Sequence, residues 1–132
     1  MEDLLCPCQS DAFYADCCQP YIEGRLDPPT AEALMRSRYS AYFNKKIGYI
    51  QDTMSGPSLM HFNPIETMSW LEQIEWQALH IMNTEKGLET DTEGIVEFQA
   101  FYSQNGESLH ILERSEFHKI NGKWFYVNGE HF

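Results

Sequence analysis

Four cysteines lie within thirteen residues near the amino terminus, and they constrain the fold of this chain more than any other feature. Two of them form the sequence Cys6-Pro7-Cys8, and after eight intervening residues the other two are adjacent, as Cys17-Cys18. Four thiolates this close along a chain can converge on one tetrahedral ion, with Zn–S distances of about 2.3 Å. The spacing therefore predicts a metal site with Cys6, Cys8, Cys17 and Cys18 as its ligands.

Disulfide bonds are the alternative explanation of this cysteine pattern. Joining the two cysteines of either close pair would give a strained ring that suits disulfide geometry poorly, but crossed pairing, such as Cys6 with Cys17, remains open. The first five residues lack the basic and apolar regions of a secretory signal. We therefore expect a cytoplasmic chain in a reducing compartment, where such clusters are more often metal sites. Zinc is the expected ion, and iron is also compatible with four thiolate ligands.

The charge of the chain limits the partners that it can bind. The sequence has 9 basic and 20 acidic residues, a formal net charge of -11, and its basic residues are scattered. Binding of nucleic acids and of anionic lipids depends on basic faces, so we expect no direct DNA binding. A basic protein partner is electrostatically easier to accommodate. No apolar run is long enough to predict a transmembrane helix.

The length of the chain allows one ordinary domain with a small appendage. Residues 1–27 cannot bury enough apolar surface to fold alone, so a metal ion is expected to take the place of a core there. The prolines Pro28-Pro29 predict a module boundary near Asp27.

Helical signals dominate the first half of the remainder. Thr30 is a good N-cap and predicts a helix that continues to about Lys45, with one apolar face. A second short helix is predicted from Ile47 to Met54, and a third is predicted to begin at Pro64.

Strand signals dominate the second half. Alternation is clear from Ile95 to Tyr102 and continues from Leu109 to Ile120. Two Asn-Gly turns, Asn105-Gly106 and Asn121-Gly122, predict tight hairpins that join the last three strands into an antiparallel meander. Helices followed by strands indicate an α+β fold with the helices on one face of the sheet.

The cysteine spacing resembles the SEC-C motif, a small metal-binding module also found at the carboxyl end of the preprotein translocase ATPase. The sequence from Pro29 to Tyr42 resembles the YchJ-like bacterial proteins, and so do Gly94–Phe98, Glu113–Phe117 and Gly122–Val127. Together these segments cover nearly the whole chain.

The resemblance implies a SEC-C metal-binding module in residues 1–27 and a nuclear transport factor 2-like (NTF2-like) domain in residues 28–132. In that fold, helices pack on a strongly bent antiparallel sheet and leave a pocket. The chain departs from the family pattern at Gln9, where glycine is usual, and at His110-Ile111-Leu112, where a His-Glu pair is common.

Two charged residues interrupt apolar faces that the cone-shaped fold would turn inward. Arg38 lies within the apolar stripe of its helix, and Glu113 and Ser115 share the apolar face of their strand. A buried guanidinium needs a partner or a cavity, so we predict an Arg38–Glu113 pair at the pocket with Ser115 nearby as ligand-binding residues. The alternative is a structural ion pair that fixes the helix against the sheet.

The leading expectation is a metal-binding accessory protein whose SEC-C module docks a protein partner. The resemblance implies partners among translation, secretion or chaperone components, while the cone acts as a scaffold or as a pocket for a small ligand. The alternative is an enzyme that performs acid–base chemistry on a small organic molecule. A cavity of about 300 Å³ or more with convergent polar groups would favour ligand binding, whereas a cavity filled by Tyr39, Tyr42 and tryptophans would favour a scaffold.

No catalytic residue is predicted. The sequence contains no phosphate loop, nucleophile elbow or metalloprotease helix. His80 could point inward from its strand, and the other four histidines carry no pairing pattern. A dimer is compatible with the fold, although nothing in the sequence requires one.

Overall fold

A computed structural model describes residues 4–131 of the chain. In this part a 3₁₀ turn, Tyr14–Asp16, precedes all the other elements. The helices are α1 (Gln19–Ile22), α2 (Ala31–Phe43), α3 (Ile47–Asp52), α4 (Pro57–Met60) and α5 (Pro64–Leu71). The strands are β1 (Ile74–Lys86), β2 (Glu93–Gln104), β3 (Glu107–Ile120) and β4 (Lys123–His131). They form an antiparallel sheet in the order β1-β2-β3-β4, which confirms the α+β fold. Within these residues, no helix is long and apolar enough to cross a membrane.

Helix α2 begins where the sequence predicts. The side chain of Thr30 accepts a hydrogen bond of 3.0 Å from the backbone N–H of Ala33, which satisfies one of the donors left open at a helix start. On the predicted apolar face of α2, Leu34, Met35 and Tyr39 are buried, while Tyr42 is half-buried. Ser37 and Ser40 are buried as well. The helix is therefore buried on more than the one face that packs on the sheet.

The sheet follows the two predicted turns. Asn105 and Gly106 have φ values of 53° and 81°, and Asn121 and Gly122 have values of 52° and 82°. Positive φ at both central residues is the geometry of the tight turn that Asn-Gly favours. On β2, residues Val96, Phe98 and Ala100 are buried as the alternation predicts.

Two glycines bring the end of β1 close to the start of α2. The backbone N–H of Ala31 donates to the carbonyl of Gly87 at 2.9 Å. A Cβ atom on Gly94 would lie 2.8 Å from the backbone nitrogen of Gly87 and 3.2 Å from Cβ of Ala31. Only glycine fits at this position, and the close approach fixes the helix over the sheet.

The cysteine segment packs on the same core as the rest of the chain. Cys6, Cys8 and Cys18 belong to one buried cluster with residues of α2 and the sheet, including Leu34, Tyr39 and Val96. Residues 4–27 therefore cover the second buried side of α2.

Candidate metal centre and binding pocket

The sulfur atoms of Cys6, Cys8, Cys17 and Cys18 converge on one point. All four lie within 4.8 Å of one another, with 3.7 Å between Cys8 and Cys17 and 3.9 Å between Cys17 and Cys18. In a tetrahedral site with Zn–S distances of about 2.3 Å, the sulfurs are about 3.8 Å apart. The cysteines are free thiols, so the disulfide alternative is not realised. The arrangement fits a metal ion held by four thiolates.

A tight loop presents the first two cysteines. The backbone N–H of Cys6 donates to the carbonyl of Ala12 at 2.8 Å, and that of Gln9 donates to the carbonyl of Cys6 at 3.1 Å. Gln9 adopts a φ of 65°, a backbone conformation that glycine adopts most easily. Its side chain compensates in this chain, because Gln9 Nε2 donates to the carbonyl of Gln77 on β1 at 3.1 Å.

Helix α2 contacts one side of the cysteine cluster. The Ser40 hydroxyl lies 3.4 Å from the Cys6 sulfur, and Arg36 Nη1 donates to the carbonyl of Cys8 at 2.9 Å. Three of the four cysteines are almost completely buried, while Cys17 is partly exposed and contacts the Ser10 hydroxyl at 3.1 Å. The cluster is thus closed on the side of the helix.

The crowded thiols do not ionise independently in the absence of a cation. Hydrogen bonds from Cys18 and Cys6 lower the pKa of Cys8, whereas burial raises the pKa of Cys17 to about 11. Hydrogen bonding to Cys6 and Cys8 keeps the proton on Cys18 and raises its pKa. A bound divalent cation would replace these shared protons, since metal ligation requires the thiolate form.

A cavity of about 560 Å³ lies between the helices and the inner face of the sheet. This volume exceeds the threshold of about 300 Å³ given above for a ligand pocket. Its walls are mainly apolar, and Tyr39 and Tyr42 line the cavity without filling it. The aromatic residues that line it are Tyr39, Tyr42, Phe62, Trp70, Trp76, Phe98 and Tyr126.

Arg38 lies in the wall of this cavity with 4% of its surface exposed. Its Nη1 donates to the carbonyl of Ile50 at 2.8 Å and to Oγ1 of Thr53 at 2.6 Å. The guanidinium carbon lies 4.6 Å from the centre of the Tyr126 ring, a cation–π contact. No ion pair within residues 4–131 joins Arg38 to Glu113, so the predicted direct pair is wrong.

Glu113 also lines the cavity, and protein donors occupy both of its carboxylate oxygens. The hydroxyls of Ser115 and Tyr126 donate to Oε2, the latter at 2.9 Å, and Nε2 of His131 lies 2.7 Å from Oε1. Ser115 does not belong to the cavity lining. Its hydroxyl donates to Glu113, and binding of a ligand by Ser115 stays a prediction.

Gly129 makes room for this arrangement on β4. A Cβ atom at this position would lie 2.6 Å from Oε2 of Glu113, which is closer than real Cβ contacts. Gly129 pairs with Ser115 across the strands, and His131 pairs with Glu113. The absence of a side chain at residue 129 therefore allows Glu113 to turn toward Tyr126.

Comparison with known proteins identifies the family. Residues 30–129 match the family model described as YchJ, middle NTF2-like domain. A UPF0225 protein of Geobacter sulfurreducens is 40% identical over 125 residues, which cover 95% of this chain and 78% of the relative.

Two solved structures of SEC-C motif proteins resemble the fold. One is a solution structure of a protein from Rhodopseudomonas palustris, with a TM-score of 0.86, 32% identity, and coverage of 96% of this chain and 98% of the other. The second is a crystal structure of a protein from Psychrobacter arcticus, with a TM-score of 0.80, 28% identity, and coverage of 93% and 80%. The chain belongs to the YchJ-like family.

Of the histidines of this YchJ-like chain, His61 and His131 line the cavity. His80 is exposed and packs on Phe101, and His110 is exposed with its Nδ1 3.2 Å from Nε2 of Gln99. His131 reaches the cavity and contacts Glu113, although its sequence context shows no pairing pattern. A carboxylate that orients an imidazole at a pocket is an arrangement capable of proton transfer.

Proposed function

We propose that this YchJ-like protein binds a small organic molecule in the cavity of its NTF2-like domain, and that its SEC-C module holds a structural zinc ion. The observation that carries the first part is the cavity of about 560 Å³. Sites for small molecules commonly have volumes of about 300–1,000 Å³ and apolar walls with a few convergent polar groups. Here those polar groups are Arg38, Glu113 and Tyr126.

The case for zinc rests on the ligands and on their surroundings. Four thiolates complete a tetrahedral shell and leave no open position for a water or a substrate, which favours a structural ion over a catalytic one. Three of the four cysteines also lie in the main core, so a bound ion would stabilise the cysteine segment where it packs against α2. Elemental analysis of protein purified without added chelator should give close to one zinc per chain, and iron is the alternative outcome.

Binding of small molecules can be tested without knowing the natural ligand. A library of neutral aromatic fragments, including 2-naphthamide, would be added to ¹⁵N-labelled protein. The indole N–H signals of Trp70 and Trp76, which line the cavity, should shift. The signal of Trp124, whose Nε1 donates to the carbonyl of Pro29, should stay in place. An Ala100→Leu variant, which narrows the cavity, should weaken these shifts. If no fragment shifts the Trp70 and Trp76 signals at millimolar concentration, the proposal is contradicted.

Protein docking through the SEC-C module is a second candidate function. Leu4, Leu5 and Phe13 are exposed on the module, and Leu5 and Phe13 lie opposite each other in a short antiparallel bridge. The net charge of -11 and the nearby Asp11 and Asp16 favour a basic partner around this apolar patch.

The docking proposal is tested most directly with ribosomes, which present basic protein surfaces. Wild-type protein should co-sediment with purified ribosomes in a salt-dependent manner, and a Leu5→Ser, Phe13→Ser variant that retains its metal should not. Equal sedimentation of the two proteins would show that this apolar patch is not the docking surface.

A further inference from the structure

Arg38 is a buried cation that no carboxylate balances directly. The side chain is almost completely buried, and no acidic oxygen within residues 4–131 lies within 4.0 Å of its nitrogens. A charge removed from water needs a counter-charge or polar partners. The partners present are the Ile50 carbonyl, the Thr53 hydroxyl and the face of Tyr126.

Part of the guanidinium remains available to a ligand. A guanidinium has five N–H donors, and the two hydrogen bonds to protein atoms both use Nη1. Within the described residues, no hydrogen bond of good geometry uses Nε or Nη2. The Tyr42 hydroxyl interacts with the guanidinium as well, and this contact opposes the rise that burial causes in the pKa of Tyr42. The Nε and Nη2 groups form the flat fork that binds a carboxylate through two parallel hydrogen bonds.

The acidic residue of the cavity does not occupy this fork. Glu113 is held by the donors Ser115 and Tyr126 and by the imidazole of His131. Its two oxygens are therefore engaged away from Arg38. Apart from Arg38 and Glu113, the titratable side chains that line the cavity are those of His61, His131 and the tyrosines. Arg38 is therefore the only guanidinium or ammonium group that lines it among residues 4–131.

The rest of the cavity wall fits a flat apolar body. Trp76 packs edge to face with Tyr39 at 5.4 Å and with Trp70 at 5.6 Å between ring centres. Tyr42 completes this wall at 6.2 Å from Trp76. Edge-to-face aromatic groups leave ring faces on which a planar ligand can pack.

We infer that the ligand class of the cavity is an aromatic carboxylate, bound with its carboxylate on the Nε and Nη2 fork of Arg38 and its ring against the wall of Tyr42, Trp70 and Trp76. The inference rests on the proposed binding of small molecules by the cavity. It names the chemistry of the ligand and assigns Arg38 as the residue that selects it.

The test compares three probes that share one ring system. These are 2-naphthoate, the neutral 2-naphthamide and the cationic (2-naphthyl)methylammonium, each titrated calorimetrically into metal-loaded full-length protein near neutral pH. The naphthoate should bind at least about tenfold more tightly than the amide, because a charge-assisted double hydrogen bond is stronger than a neutral one. It should bind more tightly than the ammonium probe as well.

Two arginine variants test whether Arg38 causes the preference for naphthoate over naphthamide. Arg38→Lys keeps the positive charge but removes the fork, so it should reduce the preference for the acid over the amide several-fold. Arg114→Met is the matched control, because Arg114 pairs with Glu85 and Glu97 on the sheet and does not line the cavity. It should leave the preference unchanged. If Arg38→Lys does not fold, the Nε–H signal of Arg38 in wild-type protein decides: it should shift with naphthoate and not with naphthamide.

Each contrary outcome has a distinct meaning. Equal binding of acid and amide would overturn the inference and leave the proposed binding of small molecules in place. Tightest binding of the ammonium probe would also overturn it and would make Glu113 the anchor. If none of the probes binds at millimolar concentration and no neutral fragment shifts the tryptophan signals, both the inference and the proposed function fail.

Discussion

The hydroxyl of Tyr126 donates a hydrogen bond of 2.9 Å to Oε2 of Glu113. The face of the same ring carries the guanidinium of Arg38, so the ring separates the two charged residues of the cavity. Burial raises the pKa of Tyr126, and the neighbouring Glu113 raises it further. The phenol therefore stays protonated and remains a donor to the carboxylate over the working range of pH.

The Tyr126→Phe substitution should expose the energetic value of this contact. Phenylalanine keeps the ring under Arg38 but removes one of the three partners of a buried carboxylate, so unfolding free energy should fall by about 1–3 kcal/mol. Urea unfolding followed by circular dichroism measures the change. Tyr21→Phe, a partly exposed tyrosine of α1, is the matched control. A loss below about 0.5 kcal/mol for Tyr126→Phe, within the range of surface substitutions, would contradict this role.

Two glycine substitutions should act in opposite directions. A methyl group on Gly129 would lie 2.6 Å from Oε2 of Glu113, so Gly129→Ala should cost about 1–3 kcal/mol by overpacking. Gly48 is the second residue of α3, and no atom lies within 4 Å of a Cβ added there. Gly48→Ala should therefore stabilise the protein by about 0.5–1 kcal/mol through helix propensity. Thermal melting of both variants tests the pair, and similar effects from both would be inconsistent with the contacts at Gly129.

The elements that the sequence predicts well are those with local determinants. Thr30 caps α2 by accepting a hydrogen bond from the backbone N–H of Ala33, only three residues further along the chain. The two Asn-Gly turns need only a positive φ at two adjacent residues. The cysteine cluster is also local, because all four cysteines fall within thirteen residues. In each case the information that decides the geometry lies within a few residues.

The partners of Glu113 depend on the sheet register, which the sequence does not reveal. Counting outward from the turn at Asn121-Gly122 would place Glu113 opposite Glu130. A bulge between Glu116 and Phe117 moves the register by one residue and brings His131 opposite Glu113 instead. Because a shift of one residue exchanges the two faces of a strand, the contact with His131 could not be predicted from alternation.

The error at Arg38 has a different origin. Helical periodicity places the residue on the inner face correctly, and the residue is buried. Periodicity does not predict which partner the side chain contacts. The Arg38 guanidinium donates to the carbonyl of Ile50 and to the hydroxyl of Thr53, both in or next to α3, instead of to Glu113. The sequence does not predict α4 either. A Gly-Pro pair such as Gly56-Pro57 usually indicates an interruption of the chain, whereas here the proline occupies the first turn of a new helix.

Because several of its tyrosines are buried, we expect the protein to lose stability in alkaline solution. Burial raises the pKa of Tyr39 and of Tyr49 to about 12, from the ordinary value of 10.0. The native state therefore holds these protons more tightly than the unfolded state. Their contribution is complete below about pH 10 and is lost as the pH rises from about 10 to about 12.

Substitution of Tyr39 isolates one of these contributions. Between about pH 9 and pH 11, the unfolding free energy of Tyr39→Phe should fall by roughly 1 kcal/mol less than that of the wild type. Urea unfolding of the two proteins at the two pH values provides the comparison. Parallel pH profiles for the two proteins would show that Tyr39 is not shielded from water.

Removal of the metal should destabilise α2 and the sheet as well as the module. Cys6, Cys8 and Cys18 share a buried cluster with Leu34 and Tyr39, so the loss of the ion would leave crowded thiols against the core. We expect a strong chelator to lower the melting temperature by at least about 10 °C, because structural zinc sites contribute several kcal/mol to folding. Far-ultraviolet circular dichroism should show one transition before and after chelation.

A ligand substitution and a matched control distinguish this effect from side reactions of the chelator. Cys8→Ser removes a fully buried ligand and should reproduce the lowered melting temperature without chelator, whereas Ser10→Ala keeps all four sulfurs and should change it little. Readdition of zinc should restore the wild type and not Cys8→Ser. An unchanged melting temperature of the helices and sheet in chelated wild-type protein would mean that the cysteine segment folds and unfolds independently of α2, in conflict with the shared core.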